Sequence, residues 1–474
     1  MALSTDKIFI AFALILVIAG LTILHKSSTL LQSLQSSAID LGGSIDQKNV
    51  STASVETASN EALIFHHGHQ NQSNFLPRVL AFVFPQFHQD SLNDRVWGEG
   101  FTDWDSLRKA PLKNRLGLEI PRPTELGYYN YSDTEPRKRQ GQLANEYGVD
   151  GFAFHHYWFY DENYIGPNLH SPLVNMLKDG HPDTPFALHW CAMKWIVTWQ
   201  AEVNPDFKFP APDIIQKQNF PEDEEKIKMH YEWLKQFFHH PNYIKVDGKP
   251  LFMLYEKKRG ALHVLRKLRE LAKEDGFPGL YITVGITKPH EHLLQIDQES
   301  VVRTTTRQKE RIFGFGLFDK VLTYPNPADW SENRTLDIPS WCAENRLGER
   351  QSNVKRTREM TGIISSFDNT PRRNVSTAFL FATGEPDDVV ERFRISLDAA
   401  LYYEACCFPD VDQRSSKLRT DDDRFIVINA MNEWAEGMML EPSSVYGRKF
   451  LETVRDTKNA ISTAGCSRDR SHYI

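Results

Sequence analysis

Short hydrophobic runs alternate with longer amphipathic segments over most of the chain. The runs are VLAFVF (79–84), GFAFHH (151–156), PFALHWC (185–191), PLFMLY (250–255), LYITVGI (280–286), FDKVLTY (318–324), TGIISSF (361–367) and RFIVINA (424–430). Between them, apolar residues recur every three or four positions opposite a charged face, as in surface helices. Such segments cover residues 135–147, 222–238, 262–275 and 387–403. Strands that alternate with helices predict an α/β fold, and eight repeats favour a single (β/α)8 TIM barrel over an open sheet.

The amino terminus departs from this pattern. Residues Ile8 to Leu24 form one uncharged and mostly apolar run, flanked by Lys7 and Lys26. Its length suits a membrane-crossing helix and exceeds an ordinary signal-peptide core, so residues 1–26 are predicted to be a signal anchor, with a cleaved signal peptide as the alternative. Residues 27–75 are rich in Ser, Thr, Gln and Asn and predict a flexible stem. The barrel is predicted over residues 76–450, followed by a carboxyl-terminal tail at 451–474.

Potential glycosylation sites support the same compartment. N-x-[ST] sequences occur at Asn49, Asn71, Asn130, Asn333 and Asn374. Together with the anchor they predict a single-pass type II protein of the secretory pathway, in the Golgi or endoplasmic reticulum membrane with a lumenal barrel, or a secreted protein if the segment is cleaved.

Composition and charge exclude several classes of protein. The chain has 474 residues, a net charge of −7 and a mean hydropathy of −0.47, which excludes a polytopic membrane protein and disfavours a nucleic-acid binder with a basic face. The five cysteines are too few for a disulfide scaffold and none has metal-ligand spacing. No glycine-rich phosphate loop follows a predicted strand. We therefore expect no metal and no other cofactor.

The predicted strand ends are rich in polar and aromatic residues, which is where barrel enzymes place their functional side chains. Aromatic rings stack on the C–H faces of sugars and polar side chains bind their hydroxyls, so a glycan site is predicted, although the rings could instead plug the ends of the barrel. The candidate substrate-binding residues are Gln86, His88, Trp97, Trp104, His155, His156, Tyr157, Trp158, Trp190, Trp195, Asp368, Arg372, Asn432 and Trp434.

Two carboxylates directly follow the eighth strand. Cleavage of a glycosidic bond needs one acid to protonate the leaving oxygen and a second carboxylate to assist at the anomeric carbon. Glu433 and Glu436 are close together on a rigid element and are the predicted catalytic pair. The alternative is that Glu433 is a structural partner of Arg372 or Arg373, after the seventh strand.

Several motifs in fixed order resemble the WbsX-like family of polysaccharide biosynthesis, usually called glycosyltransferases. They are AFVFPQFH, DRVWGEGFTDW, YGVDGFAFHHYWF, VDGKPLFMLY, FDNTPRR and NEWAEGMMLEP, and they span about residues 78–445. The last motif is also similar to the NEW-x-EG segment of the family 99 endo-α-mannosidases, which share a (β/α)8 barrel. That resemblance implies that Glu433 acts as a base on a mannose 2-hydroxyl and Glu436 as the general acid and then base, and it implies no metal.

One departure from the family pattern leaves the substrate open. The family tends to show a W-A-N-E-x-W stretch after the third strand, whereas this chain has WCAMKW at 190–195, without the carboxylate. The leading hypothesis is a carbohydrate-active enzyme that cleaves or transfers bonds of an α-linked, mannose-containing glycan or polysaccharide. The alternatives are a glycosyltransferase that uses a nucleotide sugar and a non-catalytic glycan-binding barrel.

Overall fold

The computed structural model describes residues 76–196, 214–256, 258–286, 320–323, 359–373, 375–376, 378–407 and 423–465. The predicted anchor and stem lie outside these residues and stay predictions. Within the described ranges, none of the helices is both long and apolar enough to cross a membrane. Of the predicted glycosylation sites, Asn130 lies on the described surface and is exposed.

Each of the eight hydrophobic runs forms a strand, and the eight strands pair in parallel. Among the described residues, the barrel strands and accessory strands are β1 Arg78–Val83, β2 Gly151–Tyr160, β3 Ile165–Asn168, β4 Phe186–Trp190, β5 Trp195–Ile196, β6 Ile214–Gln216, β7 Lys245–Val246, β8 Lys249–Leu254, β9 Tyr281–Ile286, β10 Lys320–Thr323, β11 Glu359–Ile364, β12 Phe367–Asp368, β13 Leu380–Phe381, β14 Phe425–Asn429, β15 Asn432–Glu433 and β16 Met438–Met439. The barrel order is β1-β2-β4-β8-β9-β10-β11-β14. Because β1 pairs with both β2 and β14, the ring closes, and the predicted α/β fold with its parallel sheet is confirmed.

Helices follow most of the barrel strands, in the predicted alternation. The longer helices are α1 Ser91–Trp97, α2 Asp103–Lys109, α3 Thr134–Glu146, α4 Ser171–Asp179, α5 Glu224–Phe238, α6 Ala261–Glu274, α7 Pro386–Tyr402 and α8 Lys449–Ala464. Local signals set their starts: the Asp223 side chain accepts a hydrogen bond from the Glu225 amide (3.1 Å), and Thr102 with Asp105 forms a capping box. Residue 450, where the predicted barrel ends, lies within α8, and Leu451 and Val454 of this helix are buried.

Side chains alternate between the inside of the barrel and its helical coat. Phe152 and Phe154 of β2 belong to the large cluster that packs under the helices, whereas Ala153 belongs to a second cluster inside the barrel. Ala187 of β4 also faces inward, and the two small residues leave room for the Phe82 ring. The carboxyl ends of the strands therefore surround a narrow, filled interior, and the loops beyond them form the candidate site.

Candidate active site

The loop after β11 is folded so that Arg372 points into the centre of the barrel mouth. Asp368 Oδ1 accepts hydrogen bonds from the Thr370 amide (2.9 Å) and hydroxyl (2.5 Å), which makes the tight turn, and Asn114 Nδ2 donates to Asp368 Oδ2 (2.9 Å). Gly437, at a φ of 68°, packs on this turn, and a Cβ there would lie 2.9 Å from the Asp368 nitrogen. Asp368 is thus occupied in positioning Arg372, and only glycine fits at position 437.

Arg372 binds three carboxylates at once. Its Nη2 donates to Glu433 Oε1 (2.6 Å) and Asp103 Oδ2 (3.1 Å), its Nε to Asp103 Oδ1 (3.3 Å), and its Nη1 to Glu436 Oε1 (2.6 Å). The guanidinium also lies 5.2 Å from the centre of the Phe84 ring. An ion pair between Arg372 and Glu433 was the structural alternative to a catalytic role for Glu433, and this ion pair is present. Arg372 also binds Glu436, so one cation contacts both predicted catalytic glutamates. We call Asp103, Arg372, Glu433 and Glu436 the arginine cluster.

The members of the arginine cluster differ in exposure. The Glu436 side chain is 24% exposed, against 6% for Glu433 and 4% for Arg372. Burial raises the pKa of Glu433 above its usual range, Arg372 opposes this shift, and the negative charges of Glu436 and Asp103 reinforce it. Glu436 therefore faces the solvent side of the cluster, and Glu433 is a buried carboxylate with increased affinity for a proton.

The remaining residues of the NEW segment secure the loop. Asn432 Oδ1 accepts from the Phe84 amide (2.8 Å), and its Nδ2 donates to the Phe84 carbonyl (3.0 Å) and the Tyr129 hydroxyl (3.1 Å). Trp434 Nε1 donates to Glu441 Oε2 (2.7 Å). The side chains of Asn432 and Trp434, the residues on either side of Glu433, are thus hydrogen-bonded to other groups of the protein.

A group of polar side chains lies inside the barrel beside the arginine cluster. His155 and His189 are opposite each other on β2 and β4, and Cys191 follows β4. The Cys191 thiol and the Tyr157 hydroxyl are near enough to Glu433 for its charge to raise the pKa of both groups, after the larger effect of burial. Of the predicted residues, His155 and Tyr157 therefore share the interior with Glu433.

Three predicted residues lie on the outer face of the barrel instead. β2 continues to Tyr160 rather than ending near residue 156, so its side chains alternate through the whole stretch. His156 Nε2 lies 2.9 Å from His230 Nε2, Trp158 stacks on the His230 ring at 4.5 Å, and Trp190 is fully buried. His156, Trp158 and Trp190 pack against α5, and the structure does not bring them to Glu433.

The other predicted residues belong to the loops at the barrel mouth. Trp104 is buried between Phe87 and Trp434, and its Nε1 donates to the Tyr129 carbonyl (2.7 Å). His88 is also buried, with Nδ1 2.7 Å from the Pro85 carbonyl oxygen, and burial lowers its pKa to about 4.

Three further predicted residues are partly exposed. Gln86 is half-buried, and its backbone carbonyl accepts from the Asp103 amide (2.8 Å). Trp97 and Trp195 are half-buried, and Trp195 contacts the Tyr157 ring edge-on at 5.1 Å. Among the predicted tryptophans, Trp195 is thus next to a residue that shares the interior with Glu433.

Two buried carboxylates at the site were not among the residues predicted from the sequence. Asp103 is part of the GFTDW motif, but only the structure shows that the start of α2 lies against Arg372. Glu441 is fully buried and accepts from Trp434 Nε1, Gln140 Nε2 (2.7 Å) and the Tyr129 hydroxyl (3.0 Å). Burial raises the pKa of Glu441 to about 7, which these donors oppose.

Comparison with known proteins places the chain in a family. A family model described as glycosyltransferase WbsX matches residues 79–454. The chain belongs to the WbsX family. Among curated proteins, this WbsX chain is similar to the uncharacterized protein WxcX of two strains of Xanthomonas campestris pv. campestris, with 25% identity over 428 residues that cover 86% of this chain and 54% of WxcX. The chain therefore spans about half the length of these relatives.

Solved structures with similarity to this WbsX chain include glycoside hydrolases. An endo-α-mannosidase of family GH99 from Bacteroides thetaiotaomicron has 14% identity and a TM-score of 0.43, with 82% of this chain and 98% of that chain covered. A protein described as glycoside hydrolase-like has 14% identity and a TM-score of 0.45, with 81% and 94% covered.

Proposed function

We propose that this WbsX chain is a carbohydrate-active enzyme that cleaves or transfers an α-linked glycosidic bond by acid/base chemistry at Glu433 and Glu436. The observation that carries the proposal is that one arginine holds both glutamates at the mouth of the barrel, one of them buried and the other facing solvent. A pair of carboxylates in unequal surroundings is what a reaction needs when one group must donate a proton while the other accepts one.

Glu433 is proposed as the base. An ordinary carboxylate is too weak a base to remove a proton from a sugar hydroxyl, and burial makes Glu433 a stronger one by raising its pKa. Arg372 opposes this rise in the pKa of Glu433 and so stabilises its ionised form. The same guanidinium fixes the direction of the carboxylate through its 2.6 Å hydrogen bond.

Glu436 is proposed as the acid because it is the more exposed member of the pair. A leaving-group oxygen can reach its carboxyl from the solvent side while Arg372 holds its Oε1. Its position three residues after Glu433 on the same helical turn keeps the pair together.

The proposed steps balance without a cofactor. Glu433 takes the proton of the 2-hydroxyl, O2 attacks the anomeric carbon and closes a 1,2-anhydro ring, and Glu436 gives its proton to the departing oxygen. Water or an acceptor hydroxyl then opens the ring at the anomeric carbon, Glu436 takes the proton of the incoming group, and Glu433 returns its proton to O2. Water yields hydrolysis, and a sugar hydroxyl yields transfer.

Transfer from a nucleotide sugar is the second candidate, and the description of the WbsX family as glycosyltransferases favours it. Arg372, the cation beside Glu433, is already engaged by three carboxylates, which counts against its binding a diphosphate.

The experiment compares donors and variants. The protein is incubated with end-labelled α-mannooligosaccharides, alone or with a panel of nucleotide sugars. The proposal expects shortened or rearranged products without a nucleotide, and transfer that requires a nucleotide sugar would favour the second candidate. Binding of the oligosaccharide without any bond cleavage would support the glycan-binding barrel and overturn both.

Glu436→Gln tests the acid role. It should lose cleavage of the labelled oligosaccharide by about 100-fold or more but retain release of fluoride from the matching oligosaccharyl fluoride in the first step, where the leaving group needs no proton. Glu391→Gln, on the exposed face of α7, is the matched control and should change neither rate.

A further inference from the structure

The three donor side chains inside the barrel, His155, His189 and Cys191, have no role in the proposed acid/base steps. Their positions follow from the sheet. His155 and His189 are register partners on neighbouring parallel strands, so their side chains leave the sheet on the same face, and Cys191 directly follows the end of β4. One potential ligand atom from each of the three lies within 4.8 Å of the other two.

These donors have few other partners. Neither imidazole makes a hydrogen bond to any described residue, and Nδ1 of both rings is buried without a partner. The Cys191 thiol is buried and forms no disulfide; it donates to the His189 carbonyl (3.7 Å), and the Tyr157 hydroxyl is its side-chain hydrogen-bond partner. Buried polar side-chain atoms are normally hydrogen-bonded, so two unpartnered imidazoles beside a thiol require an explanation.

Packing explains why the two imidazole rings are buried, but it does not explain why their Nδ1 atoms have no hydrogen-bond partner. The Phe82 ring stacks on His189 at 4.4 Å and contacts His155 at 5.4 Å, which accounts for the burial of both imidazoles. A phenylalanine or a methionine would fill the same space without leaving polar atoms unpaired. The neighbouring arginine cluster presents charges of both signs: the Arg372 guanidinium acts on His155, whereas the carboxylate of Glu433 acts on Cys191.

We infer that His155, His189 and Cys191 form a three-ligand site for a divalent transition metal of the zinc class, beside the arginine cluster. Imidazole nitrogen and thiolate sulfur are the ligands that such metals prefer, whereas Mg²⁺ and Ca²⁺ require oxygen. Bonds of about 2.1 Å to nitrogen and 2.3 Å to sulfur put ligand atoms roughly 3.5 Å apart. The ligand atoms, which lie within 4.8 Å of one another, would therefore have to approach by roughly 1 Å when the metal binds. The thiol releases its proton to water when the metal binds, and a fourth position stays open for water or a substrate oxygen.

Cobalt(II) is the probe, because a cobalt–thiolate bond gives a charge-transfer band in the near ultraviolet. The full chain is stripped with a chelator and titrated with cobalt(II) chloride. We expect one cobalt per chain to produce this band with visible bands of tetrahedral intensity, and added zinc to abolish both. Magnesium in the same range should produce no change.

Substitutions of the proposed ligands test whether these residues bind the cobalt. Cys191→Ser should abolish the charge-transfer band, and His189→Gln should weaken cobalt binding by about 10- to 100-fold or more. His263→Gln, an exposed histidine on α6, is the matched control and should bind cobalt like the wild type.

The titration of the wild-type protein tests the inferred metal site even if a variant fails to fold. The absence of a stoichiometric charge-transfer band in the wild type overturns the inference, as does an unchanged band in a folded Cys191→Ser protein. The readout is spectral, so it stands or falls independently of the proposed glycan chemistry.

Discussion

The loop after β14 carries two buried glutamates in opposite surroundings. Glu433 shares one guanidinium with two other carboxylates, whereas Glu441 is bound by three neutral donors, from Gln140, Trp434 and Tyr129. Burial raises the pKa of both carboxyls, but only the Glu433 site contains competing charges and an exposed neighbour. Burial alone therefore does not distinguish the carboxylate proposed to be catalytic: Glu441 accepts hydrogen bonds from neutral groups only, whereas Glu433 shares its cation with Asp103 and Glu436.

Removal of Arg372 should have the largest effect. Arg372→Met leaves Asp103 and Glu433 buried without a cation, so the free energy of unfolding at pH 8 should fall by about 3–5 kcal/mol, measured by urea denaturation. At lower pH the loss should shrink, because the carboxyls can take up protons.

Arg448 provides the control for that loss. It makes a two-point ion pair with Glu125 at 2.5 and 2.6 Å, but both side chains are about one-third exposed. Arg448→Met should therefore cost about 1 kcal/mol or less. Equal losses in the two variants would contradict the account of the arginine cluster.

Glu441→Gln should have the next largest effect on stability. The amide group turns one acceptor into a donor among three donors, so the free energy of unfolding should fall by about 1–3 kcal/mol. Turnover should change little once the protein is folded. A loss of turnover larger than the loss of folded protein would assign Glu441 to the chemistry.

The free energy of unfolding should depend on pH through the protonation of Glu441. Its pKa in the folded protein is about 7, above that of an unfolded glutamate, so the folded state binds the extra proton and stability falls as pH rises between about 4.5 and 7. The difference between wild type and Glu441→Gln should therefore have a slope of at most about 1.4 kcal/mol per pH unit in that window. A pH-independent difference would show that Glu441 titrates normally.

Asp103→Asn should have the smallest effect and a specific direction. The Asp103 charge raises the pKa of Glu433 and also occupies Arg372, so its removal lowers the pKa of Glu433 in two ways. If Glu433 acts as a base, the acidic limb of the pH–rate profile should shift to lower pH while turnover at its plateau changes by less than about tenfold. A shift to higher pH would contradict the assigned role.

Sequence patterns predicted the barrel well because its strands are buried on both faces and stand out as hydrophobic runs. Even the contact between Arg372 and Glu433 was among the possibilities, since the seventh and eighth strands of a barrel are neighbours. Asp103 could not be predicted in the same way, because its contact with Arg372 depends on the path of a loop 269 residues away in sequence.

The direction of individual side chains was the weak point of the sequence reasoning. His155 and His156 are adjacent in the chain, yet one faces the interior and the other packs against α5, because successive side chains of β2 point to opposite faces of the sheet. The group of His155, His189 and Cys191 was missed for a related reason: its members have no motif spacing and meet only through the register of β2 with β4.

The most direct test of the central claim compares the same substitution at the two buried glutamates. Turnover of the labelled α-mannooligosaccharide and the free energy of unfolding are measured for Glu433→Gln and Glu441→Gln. The account predicts that Glu433→Gln loses turnover by about 10²- to 10⁴-fold with little loss of stability, and that Glu441→Gln does the reverse. Wild-type turnover in a folded Glu433→Gln protein would contradict it.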